Sequence, residues 1–132
     1  MDLDDFDEES ARPPDAVVVY LGSNDYTAQL SPLSEATFTA AYVALVDEVL
    51  SFYATPPPPV VHLCGGAAVP CDYIKRAAAN RTNEVYSTTL DFGEPRSGCF
   101  GHRNRTQQQR LARGVVPIVA RAAGFPVINK HS

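Results

Sequence analysis

Ala16-Val17-Val18-Val19-Tyr20-Leu21-Gly22-Ser23-Asn24-Asp25 is the stretch that decides the fold. From Ala16 to Leu21 the apolar residues follow one another without alternation and valine dominates. A strand of that kind is covered on both faces, as in a parallel sheet. Gly22 stops it. In open α/β sheets ligands bind beyond the carboxyl ends of the strands, so Gly22-Ser23-Asn24-Asp25 is a rim segment. Asn24 can present a side-chain amide donor there, the kind of group that stabilises the oxyanion of acyl transfer. A turn in which Asn24 and Asp25 cap local backbone is the other reading of the same residues.

Downstream of this run the pattern alternates. Between Glu35 and Tyr53 the residues Phe38, Tyr42, Leu45, Val49 and Phe52 recur every three or four positions, the spacing of one helix face, with Ser34 at the N-cap and Pro56 to Pro59 beyond the end. Val60 to Leu63, closed by Gly65-Gly66, is the second strand. A shorter helix runs from about Pro70 to Asn80, with Ile74, Ala77 and Ala78 inward. Glu84 to Leu90 forms a third, less apolar strand nearer an edge. The last helix, Arg105 to Ala123, places Leu111, Val115, Ile118, Val119 and Ala122 on one face and stops at Gly124. Pro117 should kink it or start a new turn.

This order predicts an α/β domain with a small parallel sheet of about three strands and right-handed crossover helices. One edge of such a sheet is left where larger sheets carry further strands. Residues 16–125 form the domain, residues 1–15 a disordered acidic and Pro-rich lead-in, and residues 126–132 a tail.

At 132 residues with 45% hydrophobic and 20% charged residues, the chain is one globular domain at most. Six of the fifteen acids lie in the first ten residues, and the remaining nine face eleven Lys and Arg, so the net charge of -4 describes a solvated tail rather than the domain. No apolar run reaches the roughly 18 to 20 residues that span a bilayer, and no basic segment followed by an apolar one opens the chain. As written, the chain is expected to be soluble and unsecreted; an upstream leader would reopen secretion, so localisation stays open. The three cysteines, Cys64, Cys71 and Cys99, read as buried free thiols, with a Cys64–Cys71 bridge the alternative in an oxidising compartment.

After the third strand comes Ser97-Gly98-Cys99-Phe100-Gly101-His102-Arg103-Asn104, leading into the last helix. A histidine in a Gly-containing loop over a rigid sheet is well placed for general base work. His62, on a buried strand, reads as a satisfied core residue and His131 as part of the tail. His62, Cys64 and Cys71 lack a fourth ligand at supporting spacing, so no metal or other cofactor is expected. Arg103, Arg105, Arg110, Arg113 and Arg121 carry no interleaved aromatics and read as a solvated face rather than a nucleic-acid surface.

Two of these segments resemble a known family. Tyr20-Leu21-Gly22-Ser23-Asn24-Asp25-Tyr26 is similar to the third signature block of the SGNH (GDSL-like) hydrolases. Gly98-Cys99-Phe100-Gly101-His102, with Gln107 to Ala112 after it, is similar to the last block. The Gly-x-Asn-Asp-Tyr and Gly-Cys-x-x-His forms most resemble carbohydrate esterase family two, the acetyl-xylan esterase-like deacetylases. The likeness runs from about Asp15 to Phe125. It implies the C-terminal part of a three-layer, flavodoxin-like fold. It further implies that Asn24 donates to the oxyanion hole, that Gly22 forms the rim of its turn, and that His102 is the base that takes a serine proton.

The chain departs from the family as well. No Gly-Asp-Ser block is present, nor the second block whose Gly supplies another oxyanion donor, and Ser23 is the variable position of its block. Only fourteen residues precede Asp15, too few for two βα units. Cys99 or Phe100 stands where relatives carry the aspartate that orients the histidine, a role a backbone carbonyl fills in some deacetylases. Arg103 replaces the proline that commonly follows the histidine. The resemblance thus implies a carbohydrate O-deacetylase-like ester hydrolase represented by its C-terminal half and inactive alone, whose substrate when complete is a small-molecule or polysaccharide acetyl ester. The competing reading is a non-catalytic truncated paralogue serving as a binding or assembly module, self-associating through the exposed sheet edge. Neither nucleic acid nor membrane is expected as a partner.

Overall fold

A computed structural model describes residues 13–22, 25, 33–65, 68–88 and 97–127. In chain order the elements are β1 (Val17–Val19), α1 (Glu35–Ser51), β2 (Val60–Cys64), α2 (Ala68–Ala79), β3 (Glu84–Thr88), a single 3₁₀ turn (Cys99–Gly101) and α3 (Arg105–Ala122). The strands form one parallel sheet in the order β1-β2-β3, with Val17 opposite Val60 and Val60 opposite Glu84. Every residue of the central β2 is buried, which is why its run is apolar throughout. Val60, His62 and Cys64 face α1 and α2, whereas Val61 and Leu63 face the opposite side, where α3 lies against β2. The result is the parallel α/β sheet expected from the alternation of elements, in the three layers that the resemblance implied.

Ser34 caps α1 as expected, its hydroxyl accepting the Thr37 N–H at 3.1 Å. The buried stripe of α1 differs from the expected one. Phe38, Tyr42 and Val46 are buried and Leu50 packs against them, while Leu45 is 41% and Phe52 78% exposed. Steps of four drift around a helix in one direction, so this stripe turns toward α2 and β2, which α1 packs against; Leu45 is left overhanging the outer side of β1. Phe52 lies past the last helical turn, at the C-cap.

The inward residues of α2 are those expected: Ile74, Ala77 and Ala78 are buried. A disulfide joins Cys64 at the end of β2 to Cys71 in α2, correcting the expectation of free thiols. The end of β2 and the start of α2 bring the two Cα atoms to 5.4 Å, within bonding range, a proximity that spacing alone does not fix. Cys99 is free but exposed rather than buried.

Asn104 and Gln107 start α3 with a reciprocal capping box, and Gly124, at φ 76°, follows its end. The helix continues across Pro117 instead of restarting there. Leu111, Val115, Ile118, Val119 and Ala122 are only half-buried, and Gln107 is the buried residue of this helix. Lying over the central strand, α3 leaves the flanks open, with Val18 44% and Val85 43% exposed.

The core holds a chain of polar contacts. His62 is 1% exposed, as expected for a satisfied core histidine. The Tyr42 hydroxyl donates to His62 Nδ1 at 2.8 Å, and His62 Nε2–H donates to Glu84 Oε2 at 2.6 Å. Glu84 Oε1 accepts from Arg81 Nε at 2.6 Å, and Arg81 Nη2 also reaches Asp47. Burial, and secondarily the Glu84 charge, push the Tyr42 hydroxyl pKa well above its ordinary 10.0. Below pH 10 the phenol is neutral in both folded and unfolded chains. Above it the unfolded chain ionises first while the native one holds its proton, so this tyrosine makes stability fall as pH rises. Tyr42→Phe is expected to cost about 1 kcal/mol near neutrality, the worth of the hydrogen bond to His62, and to flatten the alkaline decline. Urea midpoints between neutral and strongly alkaline pH measure this. Wild-type and variant curves that stay parallel to the alkaline end would contradict it. Tyr86, raised for the same first cause, leaves a residual slope in both.

Candidate active site

The rim at the carboxyl end of β1 is shaped by Gly22. Its φ is 99°, and a Cβ there would sit 2.9 Å from Phe38 Cζ and 3.7 Å from Ile74 Cδ1. Glycine is required twice over, by backbone conformation and by the ring pressed against it. The chain thus leaves the sheet hugging the core. Ser23 and Asn24 lie outside the described residues, so the expected oxyanion-hole donor has no described position. Asp25, which follows, is exposed.

The His102 loop is tied down by its own backbone. Gly98 N–H donates to the His102 carbonyl at 2.9 Å, and His102 N–H donates to the Cys99 carbonyl at 3.1 Å. A Cβ on Gly98 would meet the His102 oxygen at 2.8 Å, so the loop closes only over a glycine. Two residues further on, Asn104 Oδ1 accepts the Gln107 N–H at 2.9 Å, Gln107 Oε1 accepts the Asn104 N–H at 2.9 Å, and Asn104 Nδ2 donates to Ser97 Oγ at 2.6 Å. His102 is therefore held between a closed 3₁₀ turn and the capped start of α3, with its imidazole exposed. Among the described residues no side chain hydrogen-bonds that ring.

Arg103 ties this loop to the other segment. Its Nη1 donates to the Tyr20 hydroxyl at 3.4 Å, and Tyr20 lies two residues before Gly22. The His102 loop thus touches Tyr20, the first residue of the Tyr20–Tyr26 segment, just past β1. Beside Gly22 opens a cavity of about 380 Å³ whose walls include Tyr20, Leu21, Asp25, Phe38 and Leu45. His102 does not line it, and Tyr20 is the residue shared by cavity and loop contact.

The roles of Tyr20, Arg103 and Asn104 were not assigned from the sequence. The Asn104-x-x-Gln107 spacing is a readable capping signal; the Arg103–Tyr20 contact spans 83 positions and has none. The His62, Cys64 and Cys71 set is no metal site, since Tyr42 and Glu84 occupy the imidazole and a disulfide occupies both sulfurs. No described helix is long and apolar enough to cross a membrane.

No family model matches the chain, and no curated protein matches it. Among solved structures it is similar in fold to a carbohydrate esterase family 2 enzyme with its carbohydrate-binding domain, from Corynascus thermopiles (Myceliophthora fergusii). The TM-score is 0.73 at 23% identity, and the match covers 86% of this chain and 38% of that one. The chain therefore spans well under half the length of the enzyme it resembles.

Proposed function

We propose that these 132 residues are the C-terminal half of an SGNH-type carboxylic ester hydrolase acting on O-acetyl groups of carbohydrates, with His102 as general base and Asn24 and Gly22 in the oxyanion hole. The observation that carries this reading is the contact of the His102 loop with the end of β1 through Arg103 and Tyr20. Those are the two segments that share the family's blocks, and the fold match to a carbohydrate esterase supports the substrate class.

In the complete site a serine hydroxyl attacks the acetyl carbonyl carbon while its proton passes to the His102 imidazole. The carbonyl oxygen becomes an oxyanion held by the Asn24 amide. Collapse breaks the ester C–O bond, and the sugar hydroxyl leaves with the proton from His102. Water, deprotonated by the same imidazole, then releases acetate and restores the serine. The chain lacks the Gly-Asp-Ser segment that supplies this nucleophile, so it is inactive by itself. Among the described residues no strand pairs with the outer edge of β1, which favours one further reading, a binding or assembly module, which shares the inactivity but not the dependence on His102.

Hydrolysis of 4-nitrophenyl acetate and of acetylated xylan separates these readings. The chain alone is expected to match its His102→Ala variant and to resist labelling by a serine-directed phosphonate. Joined behind a Gly-Asp-Ser-bearing half of an SGNH esterase as one polypeptide, it is expected to turn over and be labelled once. A folded fusion with a labelled serine but a rate indifferent to His102→Ala would refute the assignment.

A further inference from the structure

Arg103, the residue after His102, sits between two closures of the chain. On one side Gly98 N–H bonds the His102 carbonyl at 2.9 Å, and on the other Asn104 opens the capping box of α3. A Cβ at Gly98 would come within 2.9 Å of the Arg103 carbonyl oxygen, so the loop packs tightly on the Arg103 peptide as well. From this held backbone the side chain crosses to the sheet. Its Nη2 is buried, and its Nη1 donates to the Tyr20 hydroxyl at 3.4 Å. Tyr20 follows the last residue of β1 directly and precedes Gly22 by two positions. Gly22 in turn is pressed against Phe38, whose Cζ would lie 2.9 Å from an added Cβ. A continuous path of bonds and contacts therefore runs from the core through Gly22 and Tyr20 to Arg103 and on to His102.

We infer that Arg103 is a positioning residue of the hydrolase site: its guanidinium, anchored on the Tyr20 hydroxyl, sets the His102 loop in register with the turn at Gly22. This role rests on the hydrolase reading above and gives Arg103 and Tyr20 a task in which neither touches a reacting atom. General base and oxyanion donor must address one substrate carbonyl, yet they arrive on separate segments. A misplacement of about 1 Å between such groups costs on the order of 10²-fold in rate. The backbone bonds of the loop fix its shape but not its seat on the sheet, and a tether to the strand that leads into the oxyanion turn fixes the seat. Arginine suits the task, because its planar fork is pre-organised and keeps its donors at every working pH. At 3.4 Å the bond is long, and Tyr20 is 41% exposed, so the contact adds little to folding. Its value lies in alignment, which separates a positioning residue from a structural one.

The seat of the loop is measured in the full 132-residue chain. Residual dipolar couplings of the Gly98 to Asn104 amides, referenced to those of β2, report how the loop is oriented on the sheet. Arg103→Ala and the milder Tyr20→Phe, both checked for folding by circular dichroism, are expected to change the loop couplings and leave those of β2 as they are. The consequence is measured in the fused polypeptide described above. There Arg103→Ala should lower kcat by about 10- to 100-fold, with KM and melting temperature unchanged. Arg103→Lys, which still carries a donor, should recover part of the rate, and the double variant with Tyr20→Phe should lose no more than Arg103→Ala, because both remove one bond. Loop couplings that ignore both substitutions would overturn the inference, as would a kcat unmoved by Arg103→Ala in a fusion that His102→Ala inactivates. Activity that survives His102→Ala sinks the hydrolase reading itself, and the couplings, which need no activity, tell the two failures apart.

Discussion

Glu84→Ala should cost about 3–5 kcal/mol of folding stability, the loss typical of breaking a buried ion pair from one side. The carboxylate is 3% exposed and accepts from both His62 Nε2 and Arg81 Nε at 2.6 Å. Removing it leaves the His62 imidazole, itself 1% exposed, with a donor and no acceptor inside the core, and frees Arg81 to pull toward solvent. For a domain whose total stability is of order 5–15 kcal/mol, that is a large share. Glu84→Gln, which keeps one acceptor oxygen, should lose less. His62→Ala should be comparable to Glu84→Ala, and the double variant well short of the two losses summed, because each removes the same bond. At the far end Asp47 is 58% exposed, so Asp47→Ala should cost no more than about 1 kcal/mol. Urea unfolding of these variants measures the gradient; a Glu84→Ala loss no greater than that of Asp47→Ala would mean that the chain of contacts does not bind the layers together.

His102→Ala, made in the fused active polypeptide, is expected to lower kcat by about 10⁴-fold or more with little change in stability. The size follows from the number of proton transfers that pass through one group: from serine, to the leaving alcohol, and from water. Asn24→Ala, which removes a single oxyanion donor, should cost about 10²- to 10³-fold. His102 is exposed, and the loop that holds it is closed by backbone bonds that alanine keeps. A melting temperature that falls as far as that of Glu84→Ala would mean that His102 is structural. Steady-state kinetics with 4-nitrophenyl acetate gives kcat and KM separately; a change in KM alone would assign His102 to binding.

Within the candidate site, local chemistry was legible and distance was not. Gly22 could be read as the stop of its strand, because a sharp turn off a strand end favours a residue without a Cβ. That the His102 loop reaches β1 could not, since Arg103 and Tyr20 meet only after three strands have been laid side by side. The stripe of α1 was misread for a related reason. Apolar spacing says that a helix has a buried side, whereas the neighbour it packs on selects Val46 over Leu45.

By itself, then, the sequence determined what depends on the nearest few residues: the valine strand, the helix start at Ser34, the glycine stop of that strand, and the alternation that makes a parallel sheet. Backbone sterics and hydrogen-bond spacing act over one or two turns, so a short window contains their whole cause. Only the tertiary structure decided the Cys64–Cys71 bond, the chain from Tyr42 through His62 and Glu84 to Arg81, the exposure of Val18 on β1 and the partial cover given by α3. Each of these depends on which surfaces come to share a volume, and packing settles that for the whole domain at once.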